Sequence, residues 1–451
     1  MKIKFYILFL CLTSNIFVSA NWSPVGGGMN GTILDLCADT SNSKLYAGGS
    51  FTFAGNTFSP FIASWNGSAW ESLSTGMNGP VYALCMYNGN LYAGGRFTQA
   101  GSVAAKNIAK WNGSAWEALG SGFDSTVYSM TVFANELYIG GVFKKSGSLQ
   151  TGFCAKWNDS QIQKVGTSTT TGITNAYLNA PWQGVYDLKV FKNVLYIAGA
   201  FDSINHVRSY PIIKWDGFNF GKIITNSTIL FSLGELNNMI WFASEGLVQA
   251  YDGSGFQPLY FQVEPSDEIW DMVTYNGKLI LGGTYSNIIN NNSLKYITTW
   301  DGTNISLLGN SINNGVSAVE IFNGDIYIGG SFTNVSSSAT DNIAKLSGSV
   351  VTSIDNNIAQ NSKINVLQTP SFSNTFLLKS GNDYISSAFF PLRFDVVNMK
   401  GEIVYSTVIE SFSNTTTVEG NSINQNGMYF IQIIDKNLDL LHSSKVVIQK
   451  K

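Results

Sequence analysis

The chain has 451 residues, enough for one large domain and a small one, and only 12% of them are charged while 13% are aromatic. A formal net charge of −3 gives no basic footprint for nucleic acid. With 45 glycines and polarity supplied mainly by Asn, Ser and Thr, the composition is that of an all-β protein. Aromatic and β-branched residues suit pleated sheets, and Gly and Asn suit tight turns.

Lys2 and Lys4 precede an apolar run over residues 5–12, and Val18-Ser19-Ala20 offers small residues for cleavage. Residues 1–20 therefore read as an export signal, with the mature chain starting at Asn21. The run is too short for a spanning helix, which needs about 20 apolar residues. No later stretch is longer, so no transmembrane segment is expected. Cys11 falls inside the signal, leaving Cys37, Cys85 and Cys154. An odd number at wide spacing is no disulfide framework; all three read most simply as small core residues.

The strongest signal is internal repetition. Leu45-Tyr46-Ala47-Gly48-Gly49-Ser50-Phe51 returns at residues 91–97 and 137–143, and weaker copies begin at Leu195, Met239, Leu279 and Ile326. Seven copies at spacings between 40 and 58 residues predict the blades of a β-propeller. Each unit reads as four strands. In the second unit these are a short apolar strand from Val81, the strand holding the glycine pair, Ile108-Ala109-Lys110-Trp111, and Ala115-Trp116-Glu117-Ala118-Leu119. Asn88-Gly89 and Asn112-Gly113 supply the turns. The glycine pair is expected where backbones approach closely. The paired aromatics, Trp65 with Trp70 and Trp111 with Trp116, are expected to pack between blades, since later units keep their size and lose their identity. Asn21-Trp22-Ser23-Pro24-Val25-Gly26 matches a fourth strand with no unit before it, and residues 349–354 match one too. They compete for one place in the last blade, and the amino-terminal segment is preferred as the clasp.

These phrases resemble kelch-type repeats; Tyr251-Asp252-Gly253 is the form such repeats favour. The fuller phrase, with Val81-Tyr82-Ala83-Leu84 and Ile108-Ala109-Lys110-Trp111-Asn112-Gly113, also resembles the repeats of fungal bud-site cortical markers and of many exported bacterial proteins. The likeness covers residues 22–350. It implies architecture rather than function.

Between the third and fourth units the chain is longer. Gly120 is followed by Val127 after six residues, but Gly166 by Val185 after eighteen. The insertion, 167–184, carries Tyr177 and Trp182 on a connection expected at the channel mouth. Loops on rigid scaffolds commonly bind, and aromatic side chains stack on sugars or anchor partners.

After about residue 355 the repeat stops. Residues 355–362 read as a polar linker and 363–451 as a small antiparallel β-sandwich. Four places resemble the carboxy-terminal sorting domain of the Bacteroidetes type IX secretion system: Lys363-Ile364-Asn365-Val366 with Pro370, Phe394-Asp395-Val396-Val397-Asn398-Met399-Lys400-Gly401-Glu402-Ile403-Val404, Gly427-Met428-Tyr429-Phe430-Ile431-Gln432-Ile433, and Lys445-Val446-Val447-Ile448. The first departs from the family's usual Tyr-Pro-Asn-Pro segment. The resemblance implies that the tail is an address read by the type IX machinery, and that the protein is secreted or held at the outer cell surface.

No catalytic set is legible. His206 and His442 are the only histidines, too few for a copper or zinc centre of several imidazoles. A Ser-His-Asp triad would require His206, and no nucleophile elbow accompanies it. No cofactor and no metal are expected. Asp35, Asp187 and Asp271 share one position in first strands and are expected to face the channel, either bonding neighbouring strands or holding a cation or sugar. The reading is thus a seven-bladed β-propeller over 21–354 with a carboxy-terminal sandwich, acting as a non-catalytic binding or scaffold protein for an extracellular glycan or envelope protein. A carboxylate-dependent glycoside hydrolase or lyase is the alternative.

Overall fold

The computed structural model describes residues 22–346, except 167–171, 175–182, 210, 224, 226–228, 245, 258–260, 265–266, 287, 289–293, 310 and 336–337, and seven strands between 364 and 448. The signal, the linker and the competing fourth strand at 349–354 lie outside the described residues. The chain divides into two compact units, Met1–Val350 and Val351–Lys451.

In the first unit seven four-stranded antiparallel sheets follow one another among the described residues. The first consists of Ile33–Asp39, Lys44–Gly49, Ile62–Trp65 and Trp70–Ser72 in that order. The first strands of the later sheets are Val81–Tyr87, Val127–Phe133, Gly184–Phe191, Ser232–Leu236, Ile269–Tyr275 and Val316–Phe322. Local chemistry explains the hairpins. Asn88 and Gly89 both take positive φ, 47° and 74°, as the tight turn between twisted strands requires. At the turn between the third and fourth strands of the first sheet the side-chain oxygen of Asn66 accepts from the amides of Ser68 and Ala69, both at 2.9 Å.

Each first strand neighbours the first strand of the next sheet, and Val316–Phe322 neighbours Ile33–Asp39. The cycle is closed, and the unit is an all-β, propeller-like ring. Its apolar core lies between adjacent sheets: Ile33, Trp65 and Trp70 from the first repeat share one cluster with Ala318, Phe322 and Ile343 from the last. The glycine pair serves this packing. A Cβ on Gly48 would sit 2.6 Å from a methyl of Val81 in the next sheet, and one on Gly49 would sit 2.2 Å from the carbonyl oxygen of Thr32.

The tryptophan pairs pack as tilted neighbours at 5.2 Å, both for Trp65 with Trp70 and for Trp111 with Trp116. The second indole of each pair also stitches sheets together. Trp116 Nε1 donates to the carbonyl of Leu73 at 3.0 Å and Trp70 Nε1 to that of Val25 at 3.2 Å. Residues Ser23–Pro24 pair antiparallel with Ile343–Leu346 and supply the fourth strand of the last sheet. Trp22 occupies the matching position there.

One feature of every typical repeat escaped the sequence reading. A second, two-stranded hairpin lies between the second and third strands, as at Phe53–Ala54 with Thr57–Phe58 and Gln99–Ala100 with Val103–Ala104. Single bridges, Met29 with Ala54 and Met77 with Ala100, tie these hairpins to the connection that enters the first strand. The hairpins and the beginnings of the first strands therefore share one end of the ring. Pairs of residues are too short to show a period, which is why strand patterning missed them. Among the cysteines, Cys154 is buried, and Cys37 and Cys85 are partly buried and pack against the core.

In the second unit Ile364–Gln368, Thr375–Ser380 and Thr415–Glu419 form one sheet. Leu392–Asn398, Ile403–Ile409, Gly427–Ile434 and Leu440–Ile448 form another. Asp395 is fully buried in the latter, accepting from Arg393 Nε at 2.8 Å and from Ser406 Oγ at 2.6 Å.

Candidate functional site

The ring's end is organised by a bulge near the start of six of the seven first strands. The pairing register skips one residue at Ile33/Asp35, Val81/Ala83, Val127/Ser129, Val185/Asp187, Ile269/Asp271 and Val316/Ala318. A bulge interrupts the ladder, frees backbone groups and re-aims a side chain. Here it has both effects in successive residues.

The skipped residues are Leu34, Tyr82, Tyr128, Tyr186, Trp270 and Ser317, with Phe231 in the same place in the fifth repeat. Five of them form a continuous arc of rings. Tyr82 meets Tyr128 at 5.2 Å, Tyr128 meets Tyr186 at 5.7 Å, Tyr186 meets Phe231 at 5.9 Å, and Phe231 meets Trp270 at 5.7 Å. Trp270 is 43% exposed and the other four are half-buried. Leu34 and Ser317 leave the arc open between the sixth and second repeats. Burial pushes the Tyr128 phenol up and raises Tyr186 to about 12, so both remain neutral donors at physiological pH. Among the described residues none hydrogen-bonds the hydroxyls of Tyr82, Tyr128 or Tyr186.

The next residue along each strand handles the freed amides. Asp35 accepts from its own neighbour Leu36 at 2.8 Å and from Leu84, on the second first strand, at 2.6 Å. Asp187 accepts from Leu188 and from Leu233, on the fifth, both at 2.7 Å. Asp271 accepts from Val319, on the seventh, at 2.7 Å. Ser129 accepts from Leu188 at 3.1 Å, and Ser232 donates to the carbonyl of Ile269 at 3.1 Å. The three aspartates chosen from the sequence are thus brought to one level of the ring as links from sheet to sheet. Ala83 and Ala318 supply no such link. Glu320, on the seventh first strand, joins the group: it accepts from Ile321 at 2.8 Å and is held by the backbone of Ala38 on the first strand.

Burial raises all four carboxyls, Asp35 well above the usual range, Asp187 less far, Asp271 to about 6 and Glu320 to about 7. They also feel one another: Asp271 and Glu320 push Asp35 up, Asp187 pushes Asp271 up, and Lys189 partly offsets these effects at Asp187, Asp271 and Glu320. Among the described residues no group of three or more His, Cys, Asp or Glu is arranged to hold a metal ion.

Tyr177 and Trp182 lie outside the described residues. Of the insertion that carries them, Ile173–Thr174 is described, and it adds a third strand to the hairpin Ser203–Ile204 with Val207–Arg208 of the fourth repeat. The aromatic arc was not anticipated from the sequence. Its signal was present, since an aromatic residue holds the second place of the first-strand phrase in five consecutive repeats. Strict two-residue alternation hides it, because the bulge shifts the register at that point.

No family model and no curated protein matches the chain. Among solved structures it is similar to the extracellular domain of a putative one-component system of B. thetaiotaomicron, at 11% identity and a TM-score of 0.49, covering 92% of this chain and 59% of that one. It is also similar to PorZ, a bacterial surface component of the type IX secretion system of Porphyromonas gingivalis, at 11% identity and a TM-score of 0.47, covering 94% and 60%. BamB of Moraxella catarrhalis follows at 10% identity and a TM-score of 0.40, covering 72% and 97%. The chain thus spans about three fifths of the first of these proteins. Likeness at this level carries no argument about function, which must come from the chain's own residues. No helix among the described residues is long and apolar enough to cross a membrane.

Proposed function

We propose that the chain is an exported, non-catalytic binding or scaffold protein whose ring is a seven-bladed β-propeller and whose tail, 363–451, is a β-sandwich that addresses it to the type IX machinery. Release outside the cell or retention at its outer surface follows from that address. The observation that carries the binding reading is the division of labour at the bulges. Carboxylates that could do chemistry are engaged by backbone amides, whereas five aromatic rings in register remain open at one end. Asp35, Asp187 and Asp271 then act as positioning residues beneath the rings. Tyr177 and Trp182 add aromatic side chains on a connection anchored at Ile173–Thr174.

The sorting role draws on the tail's sequence. Three of the four segments resembling the sorting family fall on strands of one sheet, with Leu392–Asn398 paired to Ile403–Ile409 and Gly427–Ile434, and the latter to Leu440–Ile448. Deleting 363–451 is expected to trap the protein within the cell envelope, and normal release of the shortened chain overturns that role. For the ring, a screen of the full chain against glycans and envelope fractions, repeated with Tyr186→Ala and Trp270→Ala, tests the binding face. Binding that both variants leave untouched removes the arc from the site.

A second reading, a polysaccharide-active enzyme using carboxylates, is favoured by one observation: Asp271 and Glu320 are raised to about 6 and about 7, and the charge of Asp271 helps to raise Glu320. New reducing ends released from a polysaccharide, and abolished in Glu320→Gln, are the result that would establish it.

A further inference from the structure

We infer that the arc seats one compact organic cation, an ammonium group carrying alkyl substituents, an inference that rests on the binding reading above and names its ligand. The geometry asks for a compact group. The five rings stand on successive first strands of a closed cycle and touch one another at 5.2–5.9 Å, so they bend with it. A curve that tight lets one small group meet several rings at once and gives an extended chain no path. Aromatic faces carry the negative part of the ring quadrupole and attract cations, Trp most strongly, and Trp270 is the most exposed of the five. Among the described residues no cation of the chain lies over these rings; the Lys192 ammonium lies over Phe191, at the other end of its strand from Tyr186.

The charges set the sign. Along the seven first strands the carboxyl groups are Asp35, Asp39, Asp187, Glu235, Asp271 and Glu320, against the single ammonium of Lys189. Asp39 belongs to the far hairpin, where it accepts from the amides of Ser41 and Asn42. Asp187 and Asp271 directly follow Tyr186 and Trp270 in the chain, and Glu268 lies within electrostatic reach of Tyr186. A field of this sign draws cations toward the rings and repels phosphate, sulfate and uronate groups. A bare metal ion does not fit, since the three aspartates are engaged by backbone amides and no described cluster is arranged to hold a metal. A weakly hydrated organic cation needs no carboxylate ligand; it takes the rings as contacts and the aspartates beneath as countercharge. The rim decides between a free cation and a basic segment of a partner. Lys144, Lys145 and Arg208 are exposed on or beside the hairpins of the third and fourth repeats, and Arg96 lies within electrostatic reach of Tyr128. A polycation meets this rim charge by charge, whereas a single small cation meets it once and through screening water. The occupant is therefore a cation free in solution.

The test is calorimetric titration of the full chain with choline, and with dimethylbutanol carrying an uncharged tert-butyl group in place of the trimethylammonium. Choline is expected to saturate one site, and its uncharged counterpart to bind about tenfold more weakly or less. Tyr186→Ala and Trp270→Ala should each weaken choline binding several-fold or more. Asp271→Asn, which keeps an acceptor for the amide of Val319 and removes the charge, should weaken it several-fold, and Lys189→Gln should strengthen it. That gain is a result no unfolded variant can produce; circular dichroism and the melting temperature establish that the other variants are folded. Equal binding of the two probes, choline binding unchanged in both arc variants, or no gain in Lys189→Gln overturns the inference. Tighter binding of octalysine or heparin than of choline overturns it as well. So does the absence of choline binding together with arc-dependent capture in the glycan and envelope screen, an outcome that leaves the binding reading standing. If neither the titration nor the screen finds binding that the arc variants weaken, both fall.

Discussion

The indole Nε1 of Trp22 donates a hydrogen bond to the carbonyl of Leu308 at 3.2 Å, across 286 residues of chain. It repeats the bond by which Trp116 meets Leu73 one sheet away. The ring is therefore closed by the same contact that joins its neighbouring sheets, made this time between its two ends. Trp22→Ala is expected to cost about 3–5 kcal/mol through the cavity and the stranded carbonyl. Trp22→Phe should cost about 1–3 kcal/mol. Denaturant unfolding measures both, and a Trp22→Phe variant as stable as the parent would show that the hydrogen bond contributes nothing.

The carboxylate ring fixes a pH dependence. Asp271 at about 6 and Glu320 at about 7 lie above their ordinary values of 3.8 and 4.5, so the folded chain holds protons that the unfolded chain has released. Their contribution is complete below those ordinary values and is lost as pH rises through 6 and 7. Asp35 and Asp187 are shifted in the same direction, and Lys189 opposes the shifts of Asp187, Asp271 and Glu320. The melting temperature should fall between pH 5 and pH 8, and Glu320→Gln should flatten that slope. An unchanged slope in the variant would place the effect elsewhere.

Ala83 stands where five other repeats carry Asp or Ser and the seventh carries Ala318, and the amide of Met130 is the repeat equivalent of those of Leu188 and Leu233. Ala83→Ser should add the missing link and stabilise the ring by about 0.5–1.5 kcal/mol. A destabilised variant would mean that this amide already has an acceptor.

Asp395 is buried in the tail with Arg393 and Ser406 as partners. Removing it leaves the partly exposed Arg393 to water and loses the buried hydrogen bonds, so Asp395→Ala is expected to cost the second unit about 1–3 kcal/mol. Calorimetry of the full chain should show one of two transitions lowered and the other unmoved; a single shifted transition would show that the units unfold together.

The three thiols are free, and burial pushes Cys37 well above the ordinary thiol range and Cys85 to about 12. Alkylation at neutral pH should be slow until denaturant is added, with three thiols counted by mass spectrometry. A linked Cys37 and Cys85 would contradict this.

How far the sequence could be read depended on which physical signal each feature leaves. The glycine pair and the spaced tryptophans recur as identities because close approach and inter-sheet packing tolerate few substitutes, so the sheets were legible. So was the preference for the segment around Trp22 as the clasp. The aspartates were legible as a set because they share a register position, but not their partners, which are backbone amides on neighbouring sheets and leave no mark of their own. The aromatic arc was hidden by bulges, which change a side chain's direction without changing the residue pattern. The two-residue hairpins were too short to show alternation.

The pairing of Ser23–Pro24 with Ile343–Leu346 also dictates an order of events. Ser23 Oγ meets the carbonyl of Lys345, 322 residues further on. The strand nearest the start of the chain waits for its partner until almost the whole ring has been synthesised. In the meantime Ile33 lacks the seventh sheet against which it packs, and Trp22 lacks Leu308. Closing so long a loop adds only logarithmically to the entropy cost, but pairings this distant form slowly. During manufacture the polypeptide is therefore an open coil of finished sheets with two unmatched faces.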